Sequence, residues 1–174
     1  VTEKEKKLTA YHEAGHALMS KLLNSKDKVH KISIVPRGRA GGFTMHRPDE
    51  GTDYSSKGEM LDDIMTLLGG RIAEKLVLED ISTGASNDIK RATEVARNMV
   101  MRYGMSDNIG PVCYDDNEEV FIGRDYGHSK IYSDETAYEL DKEVKNIINA
   151  QYEKGIDLLK SNIQILHNLA NALL

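Results

Sequence analysis

The chain has 174 residues, a formal net charge of −5 and a single cysteine. That length suits one domain with a substantial core, and the mildly acidic balance excludes the dense basic stripe that nucleic acid requires. Cys113 alone permits neither an internal disulfide nor a thiolate metal cluster, which favours a reducing compartment.

Thr2 followed by Glu5 forms the pattern of a capping box. Leu8, Tyr11, Leu18 and Leu22 then recur at helical spacing, which predicts a first helix to about Leu23. Inside it lies His12-Glu13-Ala14-Gly15-His16, an H-E-x-x-H pattern. Histidines four apart on a helix are separated by about 40° around the axis, so both imidazoles point the same way. That arrangement suits two ligands of one tetrahedral zinc ion, with Glu13 near enough to handle the proton of a water on that ion. The alternative is a surface helix carrying two unrelated histidines and a solvated glutamate.

Val29 to Val35 alternates as a half-buried strand does, residues 36–42 turn the chain, and Phe43 to His46 is a second short strand, so a hairpin is expected. A helical pattern runs from Ser55 to about Leu78, with a break expected near Gly69-Gly70. Ser82-Thr-Gly-Ala-Ser86 is a polar turn opening a helix to Tyr103, stopped by Gly104. Residues 105–132 read as irregular with short strands, one of them Gly110 to Tyr114, in which Cys113 would be a small buried hydrophobe. Two final helices, about 134–153 and 156–173, divide at Gly155. The apolar stripe from Leu140 through Leu169 reads as intramolecular core. The fold class is therefore mainly α (α+β), a helical domain with a small β-sheet next to the H-E-x-x-H helix and a C-terminal helical pair. The chain reads as one domain over residues 1–174, with a catalytic part at 1–132 and a C-terminal helical part at 133–174. No stretch approaches the ~20 apolar residues of a membrane span.

A hydrolytic zinc site usually has three protein ligands, so one more must come from elsewhere. Nothing resembling H-x-x-G-x-x-H follows His16, which excludes the metzincin extension. His30, His46, His128 and His167 are isolated and read as surface, strand or core residues. Two carboxylates are better placed: Glu74 on the helix after Gly69-Gly70, and Asp88 in the first turn of the next helix. Spacing does not separate them.

His12-Glu-Ala-Gly-His-Ala17, Ile32-Ser-Ile-Val-Pro-Arg-Gly38, Leu68-Gly-Gly-Arg71, Ser82-Thr-Gly-Ala-Ser-Asn-Asp-Ile89 and Tyr103-Gly-Met-Ser106 with Gly110-Pro111 occur in this order. Together they resemble the proteolytic, M41-type domain of the FtsH family, membrane-anchored ATP-dependent AAA+ zinc metalloproteases, across essentially the whole chain. The resemblance implies a zinc metalloendopeptidase holding one Zn2+ per chain through His12, His16 and Asp88, with Glu13 as catalytic base and Glu74 as an outer or structural residue. It also implies that Lys31, Ile32, Ser33, Ile34 and Val35 form an edge strand beside the site, to which an extended substrate adds. The substrates implied are unfolded, misassembled, short-lived regulatory or membrane proteins. The implied assembly is a homo-hexamer, attached upstream to an AAA+ ATPase and a membrane anchor at the cytoplasmic face of the bacterial plasma membrane, with an organellar inner or thylakoid membrane as the alternative. ATP would be used by that ATPase and not bound here, since neither a Walker A motif nor a membrane segment is present in these residues. Two rival classes are a catalytically silent assembly module braced by zinc and a different zinc hydrolase. The H-x-E with P-C-x-x-C pattern of nucleobase deaminases is absent.

Overall fold

A computed structural model of the chain describes residues 1–23, 28–33, 43–47, 54–115 and 132–174, with the strands given by their backbone. Helix α1 (Glu3–Leu22) starts as the sequence dictates. The Glu5 N–H donates to Thr2 Oγ1 at 3.1 Å and the Thr2 N–H to Glu5 Oε2 at 3.2 Å. From Ala10 to Ser20 every residue of α1 is buried, so this helix is surrounded by protein on all sides. A helix buried all round is normally apolar; this one carries His12, Glu13 and His16 into the interior, which is the informative departure.

Two strands follow, β1 (Lys28–Ser33) and β2 (Phe43–Arg47), paired antiparallel with Lys28 opposite Arg47 and Ser33 opposite Phe43. The register shifts between Val29 and Lys31. Residues 36–42, with Ile34 and Val35, lie outside the described residues.

Helix α2 (Lys57–Ala73) opens on a second capping box, Ser56 with Glu59, and runs without a break through Gly69-Gly70. The expected interruption there is wrong, for a tertiary reason. At Gly15 and Gly69 the backbones of α1 and α2 pass in contact: a Cβ added at Gly69 would lie 2.8 Å from the Gly15 carbonyl oxygen, and one at Gly15 would strike Gly69 and Ala73. A glycine inside a helix costs about 1 kcal/mol relative to alanine. Here the close approach of two buried helices offsets that cost. The helix then widens into a single π-helical turn (Glu74–Leu78) and stops at Glu79, a non-glycine residue in the left-handed region at φ 52°.

Ser82 begins the next element: its Oγ accepts the Gly84 N–H at 3.1 Å, a short 3₁₀ turn (Thr83–Ala85) follows, and α3 (Ser86–Met101) continues from it. Gly104, at φ 59°, ends the helical path, while the Tyr103 and Met105 N–H groups return to the carbonyls of Asn98 and Met99. The expected strand at Gly110 to Tyr114 is not formed. Gly110 sits at φ 88°, and the Tyr114 and Asp115 N–H groups both bond the Met101 carbonyl, at 2.7 and 3.1 Å, so the segment folds back on the end of α3. Cys113 is consequently exposed rather than buried.

Helix α4 (Asp134–Ser161) also contradicts its predicted break, because it continues through Gly155 and ends at Asn162, before α5 (Ile163–Leu173). Gly155 is buried, and an added Cβ would press on Ile72, Met65 and Met19. Its missing side chain lets α4 lie close on α1 and α2. The stripe of Leu140, Leu159 and Leu166 is buried, and Val144, Ile147, Ile148, Ile163 and Leu169 pack against the core of the same chain. That core joins Ala10, Leu18 and Met19 of α1 to Ile64, Leu68 and Ile72 of α2 and to Ala96 and Met99 of α3. The protein is mainly helical, and no helix among the described residues is long and apolar enough to cross a membrane.

Candidate metal centre

His12 and His16 project from the buried middle of α1, one turn apart. Their imidazoles are oriented from behind by different partners. The Nδ1 of His12 lies 2.6 Å from Glu74 Oε2, and the Nδ1 of His16 lies 2.8 Å from the Thr66 carbonyl oxygen. A carboxylate and a carbonyl both accept, so each Nδ1 carries the hydrogen and each neutral ring presents a lone pair at Nε2.

Those two nitrogens are 3.0 Å apart, and Asp88 Oδ2 completes the group at 3.1 Å from His12 and 3.0 Å from His16. Three acceptors facing one another at such distances repel unless a cation lies among them. Ligand bonds of about 2.0–2.1 Å in a tetrahedral zinc site place the ligand atoms about 3.3 Å apart. The observed triangle agrees within a few tenths of an ångström, and its donor set of two imidazoles and a carboxylate is one that zinc accepts. The residues therefore fit a metal ion.

In the metal-free protein a proton must serve where the cation would. Burial works against charging His12, but the hydrogen bonds to Asp88 and Glu74 and the nearby Glu13 charge outweigh it, raising the imidazole to about 9. Burial also pushes Asp88 up, yet the two imidazoles hold its carboxyl well below the usual range. Glu74 is lowered too, its burial outweighed by His12 and Ser82.

Among the described residues, His12, His16 and Asp88 form the group able to share an ion. Glu74 is fully buried and meets the far nitrogen of His12, so it faces away from the Nε2 pair. Glu13, 5% exposed, lies on α1 between the two histidines. Lys31, Ile32 and Ser33 belong to β1, whereas Ile34 and Val35 lie outside the described residues. His30 and His46 fall in β1 and β2, and His128 lies outside the described residues. His167 is on α5, where its Nδ1 is 2.6 Å from the Tyr11 hydroxyl, a tie between α5 and α1.

Sequence reasoning missed Thr66 and Gly70. The Thr66 contribution is a backbone carbonyl, which no residue type announces. Gly70 lies against the face of the His12 ring: an added Cβ would stand 2.5 Å from Nε2 and 2.6 Å from Nδ1. Its position in a glycine pair was the available signal, read as a helix break. Replacing Gly70 by Ala is expected to drive the imidazole off its site. Overpacking of this kind costs about 1–3 kcal/mol, so zinc affinity should fall by roughly tenfold or more, measured by competition with a chromophoric chelator.

The helical frame and this two-imidazole, one-carboxylate group make a candidate metal centre with the donor set that hydrolytic enzymes use. The family description "Peptidase family M41" matches residues 1–174, and the chain belongs to that family. It is 58% identical to the ATP-dependent zinc metalloprotease FtsH of Caldicellulosiruptor bescii, over 99% of this chain and 28% of that protein. It is 56% identical to the ATP-dependent zinc metalloprotease FtsH 1 of Thermoanaerobacter sp. (strain X514), over 100% of this chain and 29% of that protein. The Myxococcus xanthus protein named ATP-dependent zinc metalloprotease FtsH is 51% identical over 99% of the chain and 27% of its own length. The chain thus spans under a third of the length of these relatives.

Proposed function

We propose that this domain is a zinc-dependent endopeptidase, the proteolytic part of an ATP-dependent, membrane-anchored protease. The observation that carries the proposal is the convergence of His12 Nε2, His16 Nε2 and Asp88 Oδ2 with both Nδ1 hydrogens already committed elsewhere. Relatives named zinc metalloproteases support the choice of ion and reaction.

His12, His16 and Asp88 hold the ion, and zinc bound there supplies a Lewis acid that polarises a scissile carbonyl and brings the pKa of water to ~7. Glu13 takes the proton of the attacking water and returns it to the departing amine, with no covalent bond to the protein. Glu74 and the Thr66 carbonyl fix the tautomer and rotation of the two imidazoles, so neither ring reorients during turnover. The hairpin follows α1 in the chain, and Lys31, Ile32 and Ser33 of β1 offer backbone groups to an extended substrate, a mode that tolerates many sequences. That tolerance suits degradation of unfolded, misassembled, short-lived regulatory or membrane proteins. An AAA+ module and membrane anchor upstream, in a homo-hexamer at the cytoplasmic face of the membrane, would deliver such chains, with ATP used there.

Chelation tests the reaction. In the full-length protein as its gene encodes it, supplied with ATP and an unfolded protein substrate, zinc removal is expected to abolish cleavage, and one zinc per chain should restore it. Undiminished cleavage by zinc-free protein would show that another chemistry operates.

A further inference from the structure

We propose that Arg71 is a positioning residue for the metal centre, acting with Glu74 as a clamp on Ser82 that sets where Asp88 stands. This rests on the reading of His12, His16 and Asp88 as the metal donors. Arg71 and Glu74 are three residues apart, at the end of α2 and the start of the π turn, so they face the same side of the helix. Arg71 Nη2 donates to the Ser82 carbonyl at 3.0 Å, and Glu74 Oε1 accepts the Ser82 N–H at 2.9 Å. With Oγ accepting the Gly84 N–H, the N–H, carbonyl and hydroxyl of Ser82 are all engaged, and both peptide planes beside its Cα are fixed.

Asp88 lies six residues farther on, and the intervening chain is the 3₁₀ turn and the first turn of α3. That is roughly 10 Å of helical path. A rotation of about 10° at Ser82 would therefore move the Asp88 carboxylate by about 1–2 Å, against a tolerance of ~0.2 Å for a ligand distance. The second oxygen of Glu74 holds His12, so one carboxylate couples a donor on α1 to the turn that carries the donor on α3.

Packing alone does not explain a guanidinium here. Arg71 Nε is buried with no hydrogen-bond partner among the described residues, an unfavourable state that an apolar side chain of similar length would avoid. What the guanidinium supplies is the bond to Ser82.

The test uses the full-length protein substituted with cobalt(II), whose visible spectrum reports its ligands, alongside zinc affinity by chelator competition. Arg71→Met keeps the aliphatic stem and removes the donor. It is expected to weaken zinc by about 10–100-fold, the range for outer partners of metal ligands, and to change the cobalt spectrum. Arg71→Lys should recover part of both. A wild-type spectrum and affinity in Arg71→Met overturns the proposal; if that variant does not fold, Arg71→Gln decides by the same readouts. Asp88→Ala separates the two levels. If its cobalt spectrum is unchanged, the donor set itself is wrong and this proposal falls with it. If Asp88→Ala alters the spectrum and Arg71→Met does not, the clamp alone is refuted.

Discussion

Glu13→Gln is expected to leave zinc bound at one ion per chain and to lower peptide hydrolysis by roughly 10²–10⁴-fold, the usual contribution of a positioned general base. Gln has the size and reach of Glu, so the buried middle of α1 should tolerate it. What changes is proton chemistry, because an amide oxygen does not hold a proton at neutral pH. His12, His16 and Asp88 are untouched by the substitution, which makes zinc content an internal control. Metal analysis and the rate of cleavage of an unfolded protein, both on the assembled full-length protein with ATP, decide the matter. A wild-type rate would remove Glu13 from the chemistry. Loss of zinc with loss of rate would instead make Glu13 a support of the site.

The parts of this domain legible in the sequence are those set by neighbours along the chain. The Thr2–Glu5 box, the span of α1, the Ser82 turn and the Gly104 stop each depend on contacts within about one helical turn. The errors lie where distant segments decide. Gly69-Gly70 and Gly155 have the local signature of a break, but each marks a place where another helix or an imidazole ring needs room. Gly110 to Tyr114 reads as a short strand with Cys113 a small buried hydrophobe, yet the Met101 carbonyl takes the backbone N–H groups that follow Cys113 and leaves it exposed. In the metal centre, His12 and His16 follow from helical periodicity. The choice between Asp88 and Glu74 does not, since it depends on which nitrogen of His12 each carboxylate approaches. That geometry arises from the crossing of α1 and α2 and from the turn at Ser82, neither of which spacing reveals.

Asp88→Ala and Glu74→Gln should therefore fail in different ways. Apparent zinc-binding energies of about 10–16 kcal/mol spread over four ligands correspond to about 2.5–4 kcal/mol each, or roughly 10²–10³ in affinity. Asp88→Ala should lose that much and alter the spectrum of the cobalt form, because the remaining Nε2 pair lacks its third donor. Glu74→Gln keeps all three donors but disrupts their support. Glu74 now accepts two hydrogens, from His12 Nδ1 and from the Ser82 N–H, one on each oxygen. Gln presents one oxygen and one NH₂, so one of those contacts becomes donor against donor. The carboxylate charge that favours the Nδ1–H tautomer of His12 is also lost. A fall of about 10–100-fold in zinc affinity is expected, with a cobalt spectrum perturbed less than in Asp88→Ala because all three donors remain while the hold on Ser82 and His12 is weakened. Destabilisation of the metal-free fold by about 1–3 kcal/mol, read by denaturant titration, should accompany it. A spectrum preserved in Asp88→Ala and strongly altered in Glu74→Gln would make Glu74 the donor. That outcome would require His12 to turn its ring over, which the Gly70 backbone packed on its face opposes.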